Sequence, residues 1–489
     1  MRAQSKGGRY DAYGSGHPHQ RPYRVGHGDA AGSPGAVSLP DLLAQSARSL
    51  RVNVALTHAF RRSPMDFLDV LVASGAGKIP LRMGSERVLL VDDATQAWEL
   101  LTTHARRTGK GRGLVRARLL LGEGLLTSEG DKHLRHRRAL QPAFHPQRIA
   151  DVYLPHFALA AQHAADRWSD GGEIDLVTEM SAMTLDGAGM ALFGSDLRGP
   201  APQITGSLTN LLGGFRVAMA PGGPALLRSP LPVGSRVRSA KAELETVVDD
   251  LVCGRWADGS TPGPVLDLLA AHPEFTDEQA RDEVMTLLLA GHETTAMALT
   301  WAFAAIDQAP AVHADLEAEW DAMPEVFPAR ELTVTLPLTM AVLAETLRMW
   351  PPSWMFSRRI LEPVELGGRT VEVGTMCLIS PALLHRDPRL WADPEQFWPR
   401  RWLRSAPGKA ARFNPKSPGQ PRGAYLPFGA GPRMCIGEQF AWSEAATILA
   451  ELGSRWRIRV QNAPLVAGPS SMTLRPNGPV HATVFQRTS

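Results

Sequence analysis

The chain has 489 residues, 44% of them apolar and 21% charged, a composition that excludes an intrinsically disordered protein. A net charge of only +3 excludes nucleic acid as the main partner. Three scattered cysteines, Cys253, Cys377 and Cys435, exclude a disulfide framework and a cysteine-based zinc finger, and point to a reducing, cytoplasmic compartment.

In chain order, residues 1–35 are rich in Gly, His, Ser and Arg and hold no apolar run fit for a signal peptide or membrane anchor. They are expected to form a flexible N-terminal tail, and residues 36–489 a single domain. Arg87–Val91 reads as a strand. Helical patterns fill much of 149–257, but glycines and prolines between Gly213 and Pro232 predict a mobile connector. Glu278 to Asp307 is one long apolar segment, opened by the capping-box residues Thr276 and Gln279. About thirty residues make a helix roughly 45 Å long, enough to cross a domain. A second helix spans Leu336 to Trp350 and is stopped by Pro351 and Pro352. Val364–Leu366, Thr375–Ile379 and Met472–Leu474 read as short strands, and a third helix runs from Ile436 to Trp456. The expected fold is mainly α with a small β region. The longest apolar runs, such as Val284 to Ala290, are too short to span a bilayer, so no integral membrane segment is expected.

The chemistry concentrates in Phe428-Gly-Ala-Gly-Pro-Arg-Met-Cys-Ile-Gly437. One cysteine stands between glycines at the mouth of a helix, where backbone N–H groups stabilise a thiolate. Gly429 and Gly437 let the backbone turn and approach a flat ligand, and Phe428 would shield the sulfur from water. Iron held by such a thiolate favours O–O cleavage. The alternative is an inert buried cysteine in a glycine-rich turn. Glu345 and Arg348 are three apart on one helix face and can pair. Ala290-Gly-His-Glu-Thr-Thr295 lies midway along the longest helix. His292-Glu293 begins like a zinc-protease helix, but position 296 is alanine where a second histidine is required.

Together these motifs resemble those of the cytochrome P-450 family, from about Gly75 to the C-terminus. Phe428, Gly431, Arg433, Cys435 and Gly437 match the family's haem-binding loop. The resemblance implies the family fold, with its long central helix crossing over haem b, and Cys435 as the iron ligand. It makes Glu345 and Arg348 a structural lock completed by Arg401. It places Ala290 and Gly291 beside the haem, with Gly291 loosening the helix to admit dioxygen. Glu293 and Thr294 become an acid–alcohol pair that supplies protons for O–O cleavage. His133, Arg137, Arg358, His385 and Arg433 become partners of the two haem propionates.

The implied activity is a monooxygenase that takes two electrons from a separate ferredoxin or flavodoxin with its reductase, splits O2 and oxidises an apolar small molecule. A terpenoid, fatty acid, steroid or polyketide-like substrate fits. The chain stops 54 residues after Cys435, so no fused flavin or iron–sulfur cluster is expected. Lys132, Arg135 and Arg138, with Arg422 and Lys416, are candidates for docking an acidic electron carrier. Leu208 to Val237 and Thr108 to Gly124 are expected to form a lid. A peroxygenase would lack the acid–alcohol pair, and a non-catalytic haem module would need neither that pair nor a large apolar pocket.

Overall fold

The structure is a computed structural model that describes residues 68, 81–83, 86–220, 222–254, 263–273, 275–323, 332–404, 411–416, 420–468 and 472–487. The tail expected over residues 1–35 lies outside the described residues. Strands β1 (Leu81–Met83) and β2 (Glu86–Val91) lead through α1 (Ala94–Leu101) to β3 (Thr108–Lys110) and α2 (Arg112–Leu121). Then come α3 (Gly130–Leu140), α4 (Leu154–Ala165), β4 (Gly172–Asp175) and α5 (Leu176–Ala188). Helices α6 (Ala201–Met219), α7 (Gly223–Arg228), α8 (Pro232–Gly254) and α9 (Pro264–Ala271) precede the long α10 (Asp277–Asp307). After it stand α11 (Pro310–Asp321), α12 (Pro337–Met349), β5 (Phe356–Ile360), the hairpin β6 (Val364–Leu366) and β7 (Arg369–Val371), and β8 (Met376–Ile379). The chain ends with α13 (Glu438–Arg455) and two strands, β9 (Trp456–Val460) and β10 (His481–Gln486).

The fold is mainly α. One sheet has the order β1-β2-β8-β5-β3, with only β2 and β8 parallel, and a second has β9-β10-β4. Helix α10 is buried on nearly every side, as a helix apolar all round must be. Its capping box forms as expected: Gln279 N–H donates to the Thr276 hydroxyl and Thr276 N–H to the Gln279 side chain, each at 3.2 Å. At about 1.5 Å per residue its 31 residues span the molecule. Pro337 opens α12, and the chain leaves the helix before Pro351. No helix among the described residues is long and apolar enough to cross a membrane.

Two expectations fail. Residues 213–232 are not a connector but the end of α6, α7 and the start of α8. Gly214 lies inside α6 against α8, where a Cβ would come within 2.9 Å of Val237. Its smallness serves helix packing rather than chain reversal. Only Gly222, at φ 72°, makes a turn that needs the left-handed region. The expected lid segments, 108–124 and 208–237, are built from β3 and α2 and from α6, α7 and the start of α8. Met472–Leu474 is not a strand, and the nearest pairing is an isolated bridge between Ala467 and Pro476.

A buried ion network ties α12 to the segments that follow it. The Glu345 carboxylate accepts from Arg348 Nε and Nη2, Trp402 Nε1 and the Trp398 N–H, all at 2.9 Å, and from Arg401 Nε at 3.1 Å. Arg348 also donates to the carbonyls of His385, Pro394 and Gln396. Glu345 and Arg348 are both fully buried. Removing one partner leaves the other charge buried and unpaired, which costs about 3–5 kcal/mol. Glu345→Ala is therefore expected to lower the unfolding free energy by about that amount in urea titration. Arg401→Gln, at the network's edge, should cost clearly less.

Candidate functional site

The loop before α13 is shaped by backbone constraints. Gly429 and Gly431 sit at φ 72° and 73°, and at Gly431 a Cβ would lie 2.1 Å from the Leu101 carbonyl oxygen. That turn and close approach demand glycine. Cys435 N–H closes the loop by donating to the Phe428 carbonyl at 2.9 Å. Arg433 reaches out to the carbonyls of Ala105 and Thr108 at 2.9 and 2.8 Å, and Arg137 from α3 to the Met434 carbonyl at 2.6 Å. The Phe428 ring packs on Trp442, with centroids 5.7 Å apart. The helix proper begins only at Glu438, so Cys435 stands just ahead of it.

This loop forms one wall of a cavity of about 430 Å³. Cys435 opens into it. Burial pushes the thiol up to about 11, against a hydrogen bond from the Gly437 N–H and the charge of Arg137, which pull it down. A bound metal would deprotonate it outright. Opposite stands α10, with Ala290, Gly291, Thr294 and Thr295 lining the cavity. The helix runs unbroken through Gly291, without the expected loosening. The Thr294 and Thr295 hydroxyls donate to the carbonyls one turn back, at Ala290 (2.8 Å) and Gly291 (3.2 Å).

Glu293 is elsewhere. Successive helical residues point about 100° apart, so with Thr294 on the cavity the acid turns away from it. Its Oε1 accepts from Arg475 Nε at 2.8 Å and from the Thr473 hydroxyl, and its Oε2 is buried without a partner. His385 is also absent from the cavity. It is fully buried, Nδ1 meets the Leu347 carbonyl at 3.3 Å, and Nε2 accepts from Leu426 N–H at 2.7 Å. Burial first, and then nearby Arg348, lower it to about 3 and keep the ring neutral. It is held as a strut for the segment entering the cysteine loop, with no ring nitrogen left for a propionate.

The remaining expected cations do converge: His133, Arg137, Arg358 and Arg433 line the cavity, joined by Lys110, which sequence reasoning missed. Lys110 on β3 stands directly opposite Arg358 on β5, a like-charge cross-strand pair that is unfavourable unless an anion lies between. No acidic residue is among those lining the cavity. Burial, reinforced by Arg433, lowers Lys110 to about 7 and Arg358 to about 10. His133 falls to about 4 through burial and the charge of Lys110. Lys110 Nζ donates only to the carbonyls of Leu125 and Leu126, at 2.9 and 2.8 Å, and His133 Nε2 is buried with no partner. These groups fit a flat ligand bearing two carboxylates, with a soft ligand for its metal at Cys435. Of the expected docking residues, Lys132 is tied to Glu123 at 2.7 Å, whereas Arg135 and Arg138 are exposed.

The comparisons agree with this geometry. The cytochrome P450 family profile matches residues 64–481. Cyclooctatin synthase of Streptomyces melanosporofaciens is 36% identical over 437 residues, covering 85% of this chain and 92% of that protein. Cyclooctat-9-en-7-ol 5-monooxygenase of the same organism is 36% identical over 412 residues, covering 82% and 87%. The crystal structure of CYP175A1 from Thermus thermophilus superposes with a TM-score of 0.69 at 27% identity, covering 89% of this chain and 98% of that one.

The lowered Lys110 makes a prediction for the ligand-free protein. Between pH 10.5 and about 7 the unfolded chain holds this proton and the folded chain does not. Stability therefore falls as pH drops through that window, by at most about 1.4 kcal/mol per pH unit, and levels off below it. Urea midpoints of haem-free protein across this range should show the fall. Lys110→Met should flatten it, and loading with haem should reduce it.

Proposed function

The chain belongs to the cytochrome P450 family, and on that premise we propose that it is a haem-thiolate monooxygenase acting on a terpenoid. The observation that carries this reading is the cavity that has Cys435 on one wall, Thr294 on the wall opposite, and Lys110, three arginines and His133 between them. Haem, when bound, supplies activation of O2 and transfer of one oxygen atom. Cys435 holds the iron as a thiolate, and the charge of Arg137 favours that form. Lys110, His133, Arg137, Arg358 and Arg433 hold the two propionates. A carboxylate there would draw His133 towards its charged form, with Nδ1 held by the Leu125 carbonyl (3.2 Å) and the unpartnered Nε2 left to donate.

Thr294 is the hydroxyl placed to order water and hand on protons over the haem. Glu293 is the adjoining acid, and its ion pair with Arg475 must open before it can serve. Above the haem the wall is apolar, with Leu126, Leu192, Phe215, Leu287 and Met472 excluding water and gripping substrate by burial. A terpenoid matches this lining. The two Streptomyces relatives support that class, since one is named for cyclooctatin and the other for an unsaturated cyclic alcohol. Electrons come from a separate acidic ferredoxin or flavodoxin. It docks on the face carrying Arg135 and Arg138, the exposed arginines of α3.

Two experiments test the chemistry and the docking. Cys435→Ala should lose the thiolate-type band of the reduced carbon monoxide complex, whereas Thr294→Ala should keep it, bind substrate, and divert electrons to peroxide or water. Retention of the band without Cys435 would remove the cysteine from its role. Reversal of Arg135 to Glu should slow reduction by the carrier at low salt, with the difference shrinking as salt rises, and leave the haem spectrum unchanged.

A further inference from the structure

Two buried ionisable groups have no part in the chemistry above. Glu283 on α10 is fully buried, and its Oε1 meets Nδ1 of His136 on α3. His136 is also buried, with the Phe275 ring against it at a centroid distance of 4.7 Å. Oε2 of the same carboxylate accepts from the Leu125 N–H at 2.9 Å. Two cavity cations hang on this stretch of chain. The Leu125 carbonyl accepts from Lys110 Nζ at 2.9 Å and meets His133 Nδ1 at 3.2 Å, and the Leu126 carbonyl accepts from Lys110 Nζ at 2.8 Å. Next to Glu283, Asp282 Oδ2 accepts from the Glu123 N–H at 2.7 Å. A Cβ at Gly124 would lie 2.5 Å from the Asp282 carbonyl oxygen, so the backbone there lies directly on α10.

Helix packing gives no reason for an acid at position 283, since Val284, Met285, Leu287 and Leu288 around it are buried and apolar. A carboxylate taken out of water is costly unless it is paired and hydrogen-bonded. What an alkyl side chain could not do is accept from two donors on different segments and so fix one against the other. We propose that Glu283, braced by His136, is a positioning residue for haem: it sets the place of the Leu125 and Leu126 carbonyls and, through them, where Lys110 and His133 present their charge to the propionates. The proposal rests on the propionate role given above to those two residues. His136 follows His133 by three residues on α3, so the same brace steadies the helix that carries His133 and Arg137. Glu283 acts through geometry rather than through its field. The charges felt by Lys110 are those of Arg433, Glu129, Arg358 and Arg118, and those felt by His133 are of Lys110, Arg433 and Arg137. A neutral amide at position 283 should therefore serve as well as the acid.

The test follows haem loss from the loaded enzyme to excess apomyoglobin, read by absorbance at fixed pH and salt. Glu283→Ala should lose haem about tenfold faster than the parent. Glu283→Gln should stay within about twofold of the parent, because its amide can accept from Leu125 and donate to His136. In a Lys110→Met, His133→Phe background, Glu283→Ala should add less than about twofold, whereas a general loosening of the fold would add its full factor there. If Glu283→Ala retains too little haem to follow, His136→Leu takes its place in the same cycle, with an expected acceleration of about threefold. A readout apart from haem transfer is hydrogen exchange at the Leu125 amide, which should quicken in Glu283→Ala and not in Glu283→Gln. The anchor is overturned if Glu283→Ala, or its stand-in, loses haem at the parent's rate, or if its factor persists undiminished in the double background. It is also overturned if Glu283→Gln loses haem as fast as Glu283→Ala, or if Leu125 exchange is the same in all three proteins. When the Lys110→Met, His133→Phe protein loses haem quickly in those cases, the anchor alone has failed. If that protein holds haem as firmly as the parent, the propionate role has failed and the anchor falls with it.

Discussion

Positive charge crowded around one cavity, with Glu129 as a nearby counter-charge for Lys110, Arg358 and Arg433, is the constraint on which this site depends. Lys110, His133, Arg137, Arg358 and Arg433 surround one cavity that no acidic residue lines. Burial works against the charged form of every one of them, and repulsion by neighbouring cations adds to it at Lys110, His133 and Arg358. Such a cluster persists because each member is also held by backbone. Arg433 is fixed by the carbonyls of Ala105 and Thr108, Arg137 by Met434, and Lys110 by Leu125 and Leu126. The same bonds that fix the charges fix the cysteine loop, so the thiol and the cations share one frame. An anionic ligand completes that frame rather than merely occupying it.

A second buried network, around Glu345 and Arg348, positions without taking part in chemistry. It links α12 to the carbonyl of His385, and His385 in turn takes the N–H of Leu426, two residues before Phe428. Tyr425 adds a bond from its hydroxyl to the Ala344 carbonyl at 3.0 Å. The loop is therefore suspended from fully buried polar groups, where a lost partner is costly and loose geometry is suppressed. The distal wall is built differently. It belongs to one helix, whose hydroxyls are satisfied by their own backbone, and its acid is held aside by a remote segment.

The features legible in the sequence were those set by local rules. Thr276 and Gln279 mark the start of α10, Pro351 bounds α12, and the glycines at 429 and 431 mark the loop because the backbone conformation there allows little else. The family motif identifies Cys435, and it collects four of the five cations. What sequence alone misses depends on contacts distant in the chain. Gly214 looks like a loop residue until α8 packs against α6. Lys110 gains meaning only when β3 pairs with β5, about 250 residues away. The histidine of His385-Arg-Asp-Pro has the right chemistry for a propionate but is already engaged at both nitrogens. The neighbour of Glu293 is Arg475, 182 residues later, and nothing near either residue announces the pair.

The central claim is that the cavity is charged for two carboxylates as well as shaped for a porphyrin. Binding of haem and of haem dimethyl ester to the haem-free protein, followed by absorbance titration, tests it most directly, because the ester keeps the ring and iron but removes both charges. Charge-assisted hydrogen bonds contribute about 1.5–3 kcal/mol each. The account therefore predicts that the ester binds at least about a hundredfold more weakly than haem, with the difference shrinking in Lys110→Met. Equal affinity for the two would contradict it.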